Sequence, residues 1–229
     1  MKRSAARGLL AALEWVTRRF FAWLYTRGAW AYPAVAWLTS GGRWAAWVQA
    51  VAAQVPPEAR VLELGFGPGY AQALWAARGQ VAWGVDLSPQ MARRAAARIR
   101  AAGGAPRLVR GRAQALPWPA ASVDWVVSTF PAPYIADPAT AREVARVLRP
   151  GGRLWVLLSA RGGLLGLWDR LARWALQQAR GREVAWGRML QRTYAAVGLA
   201  GDLVWEPLPG GARGALFRAV KVPDREVPS

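Results

Sequence analysis

Residues 61–70 read VLELGFGPGY, a run of apolar residues that breaks abruptly into glycines. Val61, Leu62 and Leu64 have the character of a buried strand, Gly65, Gly67 and Gly69 alternate with Phe66 and Pro68, and a helical stretch begins at Tyr70. A strand, a glycine turn and a helix start make a cradle for a nucleotide-like ligand. The helix start presents unpaired N–H groups, and glycine adopts backbone angles that let a ligand approach the main chain.

Outward from this stretch, strand and helix signals alternate. Strands are expected at 60–65, 81–86, 106–110, 123–129 and 152–158, with helices at 70–78, 88–102 and 138–148. Ser88-Pro89 is a helix start, a capping hydroxyl followed by proline at the first helical position. Gly103-Gly104 and Pro150-Gly151-Gly152 end the helices before them. The repeated order predicts an α/β fold with a mostly parallel sheet covered on both faces. A further helix near 183–197 leads to strands at 202–206 and 214–221, joined by the turn-forming PLPGGARG, for about seven strands in one domain.

Two segments stand apart from the alternation. Residues 1–54 read as an N-terminal helical lid or lead-in, before the main domain at 55–229. Leu9, Leu13, Val16, Phe20 and Trp23 form an apolar stripe, and a second helical segment, Ala34 to Val55, is stopped by Pro56-Pro57. Residues 160–182 read as a helical insertion in which Leu164, Leu167, Leu171 and Trp174 lie opposite Arg170, Arg173 and Arg180.

Composition removes several chemistries. The 229-residue chain has no histidine and no cysteine, which excludes disulfides, thiolate or imidazole metal sites, Cys nucleophiles and His bases. No metal site is expected. The net charge of +18 is nearly all arginine and is spread along the chain. It fits a compositional bias with a solvated basic surface, an anionic membrane surface, or nucleic acid as partner. The longest uncharged run is too short to span a bilayer and no signal peptide is visible, so the expectation is a cytoplasmic protein, soluble or peripheral to the inner face of the membrane.

The glycine spacing narrows the ligand. A dinucleotide fingerprint needs G-x-G-x-x-G, whereas here Tyr70 and Ala71 stand where the third glycine would fall. No lysine follows in Walker position, which excludes a P-loop. Glu63 lies inside the strand before the turn, and Asp86 ends the next strand, placed to accept two ribose hydroxyls.

With these residues the sequence resembles the class I S-adenosylmethionine-dependent methyltransferases. It is most similar to the branch containing the ubiquinone/menaquinone biosynthesis C-methyltransferases. VLELGFGPGY, GVDLSPQM, GRAQALPWPAASVDWVVSTF and EVARVLRPGGRLWVL occur in the family's order and spacing, and the similarity covers roughly residues 30–160. It implies a Rossmann-like, seven-stranded, mostly parallel sheet with an antiparallel last strand, and S-adenosyl-L-methionine as cofactor. By the resemblance, Gly65, Phe66, Gly67 and Gly69 form the loop under the methionine part, and Glu63 helps hold the amino group. Asp86 takes the ribose hydroxyls, Leu87 packs on adenine, Ala113 and Gln114 lie along its edge, and Ser128 with Thr129 faces the methyl-transfer zone.

One departure stands out. The family often carries an acid where this chain has Arg112, and arginine has no acceptor for the adenine amino group, so the Gln114 amide oxygen, or else a backbone carbonyl, is expected to supply it. A base for the acceptor, if one is used, would come from Tyr134, Asp137, Tyr32 or Tyr25. The two apolar-striped helices favour a small hydrophobic or aromatic acceptor, including a lipid-borne one, with peripheral contact to an anionic membrane. An RNA methyltransferase and a non-catalytic cofactor-binding protein remain the alternatives.

Overall fold

The computed structural model describes residues 42–161 and 180–223, and those from Arg43 on belong to one compact unit. The apolar stripe of residues 9–23 and the insertion stripe of 164–174 lie outside the described residues. In chain order the elements are α1 (Trp44–Ala52), β1 (Val61–Leu64), α2 (Tyr70–Ala77), β2 (Ala82–Asp86) and α3 (Pro89–Ala101). Then follow β3 (Leu108–Arg110), β4 (Val123–Thr129), a short 3-10 turn (Pro133–Ala136), α4 (Pro138–Val147), β5 (Leu148–Arg161), α5 (Arg180–Ala195), β6 (Leu199–Leu208) and β7 (Ala212–Lys221).

The seven strands form one sheet in the order β3-β2-β1-β4-β5-β7-β6. β1 to β5 are parallel, and β7 runs antiparallel to both β5 and β6. The central strands carry apolar residues on both sides, as parallel strands covered on two faces require. Leu62, Leu64, Val126, Leu154 and Val156 join one core with Val144 of α4 and Leu190 of α5. Their neighbours Val61, Trp125, Val127, Trp155 and Leu157 join the other, with Val51 of α1 and Trp75 of α2. The alternation is the period of two of an extended chain.

The local signals work as their chemistry predicts. Ser88 Oγ accepts the Met91 N–H at the start of α3 with Pro89 in the first turn, and Gly103 follows that helix at φ +82°. Asp137 caps α4, its Oδ1 accepting from Ala139 N at 2.8 Å. Asp124 braces the sheet away from the ligand edge: Oδ2 accepts the Arg60 amide at 2.7 Å, and Arg149 lies 2.7 Å from Oδ1.

Several boundaries differ from the sequence expectation, those of three strands for clear reasons. β5 begins at Leu148, before the Pro150-Gly151-Gly152 turn, because Leu148 already pairs with Val123. β3 is trimmed to Leu108–Arg110 at the sheet edge. β6 extends at both ends to Leu199–Leu208, since its whole length pairs with β7 around the Gly210-Gly211 turn, both glycines at positive φ. Among the described residues no helix is long and apolar enough to cross a membrane.

Candidate functional site

The carboxyl ends of β1, β2 and β4 bring the sequence-predicted residues to one edge of the sheet. The three loop glycines turn out to be required for different reasons. Gly65 has φ +70°, and its N–H donates to Val85 O at 2.8 Å, carrying the β1–β2 pairing one residue further. A Cβ there would stand 2.5 Å from the Tyr134 hydroxyl oxygen. Gly69, at φ +80°, precedes α2, and a Cβ would sit 2.6 Å from that of Ala95, where α2 and α3 close on each other. Gly67, at φ +52°, has nothing within 4 Å of its Cβ direction, so the middle of the loop opens onto free space. Phe66 is buried beneath it.

Two acids flank this opening. Asp86, at the end of β2, accepts the Gly67 N–H on Oδ2 at 2.9 Å and the Ser88 N–H on Oδ1 at 2.8 Å. Burial still lifts its carboxyl above the usual range, outweighing the backbone N–H groups that pull it down. A carboxylate has about four lone-pair directions, so each oxygen keeps capacity for a hydroxyl. Glu63 is 1% exposed, and Gln72 Nε2 of α2 donates to its Oε2 at 2.9 Å. Burial pushes its carboxyl up to about 8, against the Gln72 hydrogen bond and with help from the negative field of Asp86.

Residues 111–118, which include the pair the resemblance assigned to the adenine edge, follow β3. The Gly111 N–H donates to Asp86 O at 3.1 Å, which ties this loop to β2. Ala113 is buried and Arg112 exposed. Gln114 Nε2 donates to Asp137 Oδ2 at 3.1 Å, which leaves the amide oxygen as the accepting end. Leu87 is 59% exposed beside Asp86, an apolar surface at the mouth.

Glu143 and Arg146, three residues apart on α4, hold this loop. Glu143 Oε2 accepts the Leu116 N–H at 2.6 Å, while Arg146 donates to Leu116 O at 2.8 Å and to Trp118 O at 2.6 Å. Their spacing on α4 gave the ion pair at 2.7 Å; the backbone partners, distant in sequence, had no signal.

At the end of β4, Ser128 Oγ and Tyr134 Oη both reach Leu64 O, at 2.7 and 3.0 Å, and lie 3.1 Å from each other. Tyr134 thereby braces the end of β1, and Asp137 is occupied by the α4 cap and by Gln114, its carboxyl held below the usual range by those hydrogen bonds. Thr129 is half-buried at the strand end. Tyr32 and Tyr25 lie outside the described residues. Among the described residues, no three His, Cys, Asp or Glu side chains gather to hold a metal ion.

Three residues were missed by the sequence reading. Phe130 follows β4 with φ +50°, an outlier for a bulky side chain. Its N–H donates to Leu157 O at 2.7 Å, and its ring lies 3.9 Å from that of Trp44 and 6.5 Å from that of Trp47. No sequence signal announces a left-handed phenylalanine. Trp44, at the start of α1, was absorbed into the lead-in helices. Gln72 did have a signal: it is the one amide on the otherwise apolar helix YAQALWAA.

Residues 62–156 match the methyltransferase domain family. A methyltransferase of Mycobacterium sp. (strain JLS) is 37% identical over 105 residues, which is 45% of this chain and 40% of that relative. The chain thus spans about two fifths of that relative's length. Among solved structures, an S-adenosylmethionine-dependent methyltransferase from Methanosarcina mazei superposes with a TM-score of 0.56 at 19% identity, over 76% of this chain and 98% of that one. A geranyl diphosphate C-methyltransferase from Streptomyces coelicolor, solved with Mg2+, geranyl diphosphate and S-adenosyl-L-homocysteine, gives 0.54 at 16% identity over 78% of each chain. The fold is therefore the Rossmann-like α/β fold of S-adenosylmethionine-dependent methyltransferases.

Proposed function

We propose that this chain is an S-adenosylmethionine-dependent methyltransferase, as its domain match and fold support, and that it methylates a small hydrophobic or aromatic acceptor. The observation that carries the cofactor side is the pairing of Gly67 with Asp86 beside buried Glu63. An open loop main chain and two acids at separate stations match a ligand with an ammonium group at one end and a ribose diol at the other. Glu63 would face the ammonium, Asp86 the diol, Leu87 and Ala113 the adenine faces, and the Gln114 oxygen the adenine amino group. S-adenosylmethionine supplies a methyl group already activated by its sulfonium.

The chain's own contribution is then orientation and exclusion of water. With no histidine, and with Tyr134 and Asp137 engaged in the scaffold, the acceptor's proton would pass to water or to an acceptor group already acidic enough to lose it.

The apolar acceptor is supported by the aromatic cluster of Phe130, Trp44 and Trp47, which adjoins the end of β4. A strained backbone at a strand end, held by stacking and one hydrogen bond, is the kind of cost that persists where side-chain direction matters. The structural neighbour solved with geranyl diphosphate acts in the same fold on an acceptor of this character. Within the class, the four sequence blocks favour the ubiquinone/menaquinone C-methyltransferase-like branch. Contact with an anionic membrane through residues 9–25 and 160–180 belongs to this reading. The net charge of +18 favours RNA as the second reading.

The test is transfer from methyl-labelled S-adenosylmethionine into host lipid, small-molecule and RNA extracts. Label in the lipid or small-molecule fraction is the expected result. Label confined to RNA establishes the second reading, and none in any fraction establishes a cofactor-binding protein without turnover.

A further inference from the structure

We infer that Gln72 is a positioning residue for the methionine end of the cofactor: it fixes the Glu63 carboxyl so that capture of the ligand's ammonium is coupled to loss of the Glu63 proton. The inference rests on the cofactor reading above and goes beyond it by naming the residue that sets the acid and the linkage that results.

Glu63 sits in the middle of the sheet. Its Cα partners are Gly84 on β2 and Val127 on β4. The third wall is α2, which brings Gln72, 3% exposed, over the carboxyl. Both amide hydrogens of Gln72 have a destination: Glu63 Oε2 at 2.9 Å and Trp83 O at 3.1 Å. The amide occupies a slot that Gly84 leaves, because a Cβ on Gly84 would come within 3.2 Å of Gln72 Nε2 and 2.6 Å of the Phe66 ring. Two hydrogen bonds thus hold the Gln72 amide in this slot. One carboxyl oxygen of Glu63 is taken, and Oε1 is left to meet a charge arriving from the open edge.

The groups that face Glu63 set the direction of the linkage. From β2, Asp86 is negative and opposes ionisation; from α2, Gln72 is neutral; from β4, Val127 is apolar. Among the described residues no cation pairs with Glu63. A buried carboxyl with one neutral donor and a negative neighbour keeps its proton to about pH 8. An incoming ammonium provides the missing positive charge, lowers the pKa and expels the proton to solvent. By linkage, affinity for a ligand that carries the ammonium rises with pH through the neutral range, while affinity for one that lacks it does not.

Two ligands separate the effects. S-adenosylhomocysteine has the ammonium and no sulfonium. 5′-Methylthioadenosine keeps the adenosine and the thioether but lacks the amino acid end. Titration calorimetry with each, on the full chain, between about pH 5.5 and 7 stays where the ligand's ammonium remains protonated. The expected result is a homocysteine-ligand affinity approaching about tenfold stronger per pH unit, with methylthioadenosine changing less than about twofold. Gln72→Met, similar in size and without donors, should weaken the homocysteine ligand at pH 7 by about tenfold or more, as loss of a donor to a buried acid does, and leave methylthioadenosine unchanged.

Parallel pH responses of the two ligands, or equal losses in Gln72→Met, overturn the inference and leave the cofactor reading intact. Failure of the wild-type chain to bind either ligand overturns the cofactor reading and the inference with it. If Gln72→Met does not fold, the wild-type pH comparison decides alone.

Discussion

The Gly67 amide donates to Asp86 Oδ2 at 2.9 Å, so the open glycine of the β1 loop and the acid at the end of β2 are set as one unit. The Gly111 amide closes the same unit from the β3 side through Asp86 O. Asp86→Ala should therefore weaken S-adenosylhomocysteine by about 1–3 kcal/mol, the cost of leaving buried hydroxyls unpaired. Calorimetry measures it, and an unchanged affinity removes Asp86 from the site.

Gly65 and Tyr134 form the second pair. An alanine at Gly65 meets a left-handed backbone and the Tyr134 hydroxyl at 2.5 Å. Gly65→Ala should destabilise the protein by about 1–3 kcal/mol. In a Tyr134→Phe background the added cost should fall by more than about 0.5 kcal/mol, because the clashing oxygen is gone. Denaturant unfolding of the four proteins checks the cycle, and identical penalties in both backgrounds would show that only the backbone angle matters.

On the adenine side, Gln114→Leu should weaken the cofactor more than Arg112→Ala. Gln114 points its nitrogen at Asp137 and keeps an acceptor, while Arg112 is exposed and has only donors. Measured affinities in the reverse order would show that another group receives the adenine amino group.

Arg146 holds residues 116–118 by two carbonyls and by Glu143. Arg146→Ala should lower stability by about 1–3 kcal/mol and weaken cofactor binding several-fold through the loosened loop. Arg146→Lys should restore little of either, since an ammonium does not reproduce the guanidinium fork. Full rescue by lysine would reduce the interaction to charge alone.

Glu63 gives a pH signature in the free protein. Its folded pKa of about 8 lies above its unfolded value, so its contribution to stability is greatest at acid pH, below the unfolded pKa. That contribution is lost as pH rises toward 8. Glu63→Gln should consequently stabilise the ligand-free protein at pH 8 relative to wild type, on the order of a few kcal/mol, and by less at pH 5. The same substitution should weaken S-adenosylhomocysteine. Thermal unfolding at the two pH values, in the absence of ligand, reads the difference.

The fold was legible because its signals are local. The apolar strand runs, Ser88-Pro89 and Gly103-Gly104 need only the neighbouring residues to act and produced the elements expected of them, whereas β5 runs through Pro150-Gly151-Gly152 because Leu148 pairs with distant Val123. The positions of Glu63 and Asp86 were legible for a related reason: each lies inside or at the end of a short apolar strand whose register its neighbours set. What stayed hidden depends on contacts between distant residues. Glu143 and Arg146 look like a helix-surface pair until Leu116 and Trp118 fold against them, and Phe130 at its left-handed angle is held by Leu157 O and the Trp44 ring. The individual reasons for Gly65 and Gly69 likewise lie in Tyr134 and Ala95, far along the chain.

The most direct test of the cofactor site is calorimetric titration of the purified chain with S-adenosylhomocysteine and, separately, with NAD. The spacing of Gly65, Gly67 and Gly69 with Asp86 and Glu63 predicts saturable one-to-one binding of S-adenosylhomocysteine and no heat from NAD. Binding of NAD with none of S-adenosylhomocysteine would contradict the account.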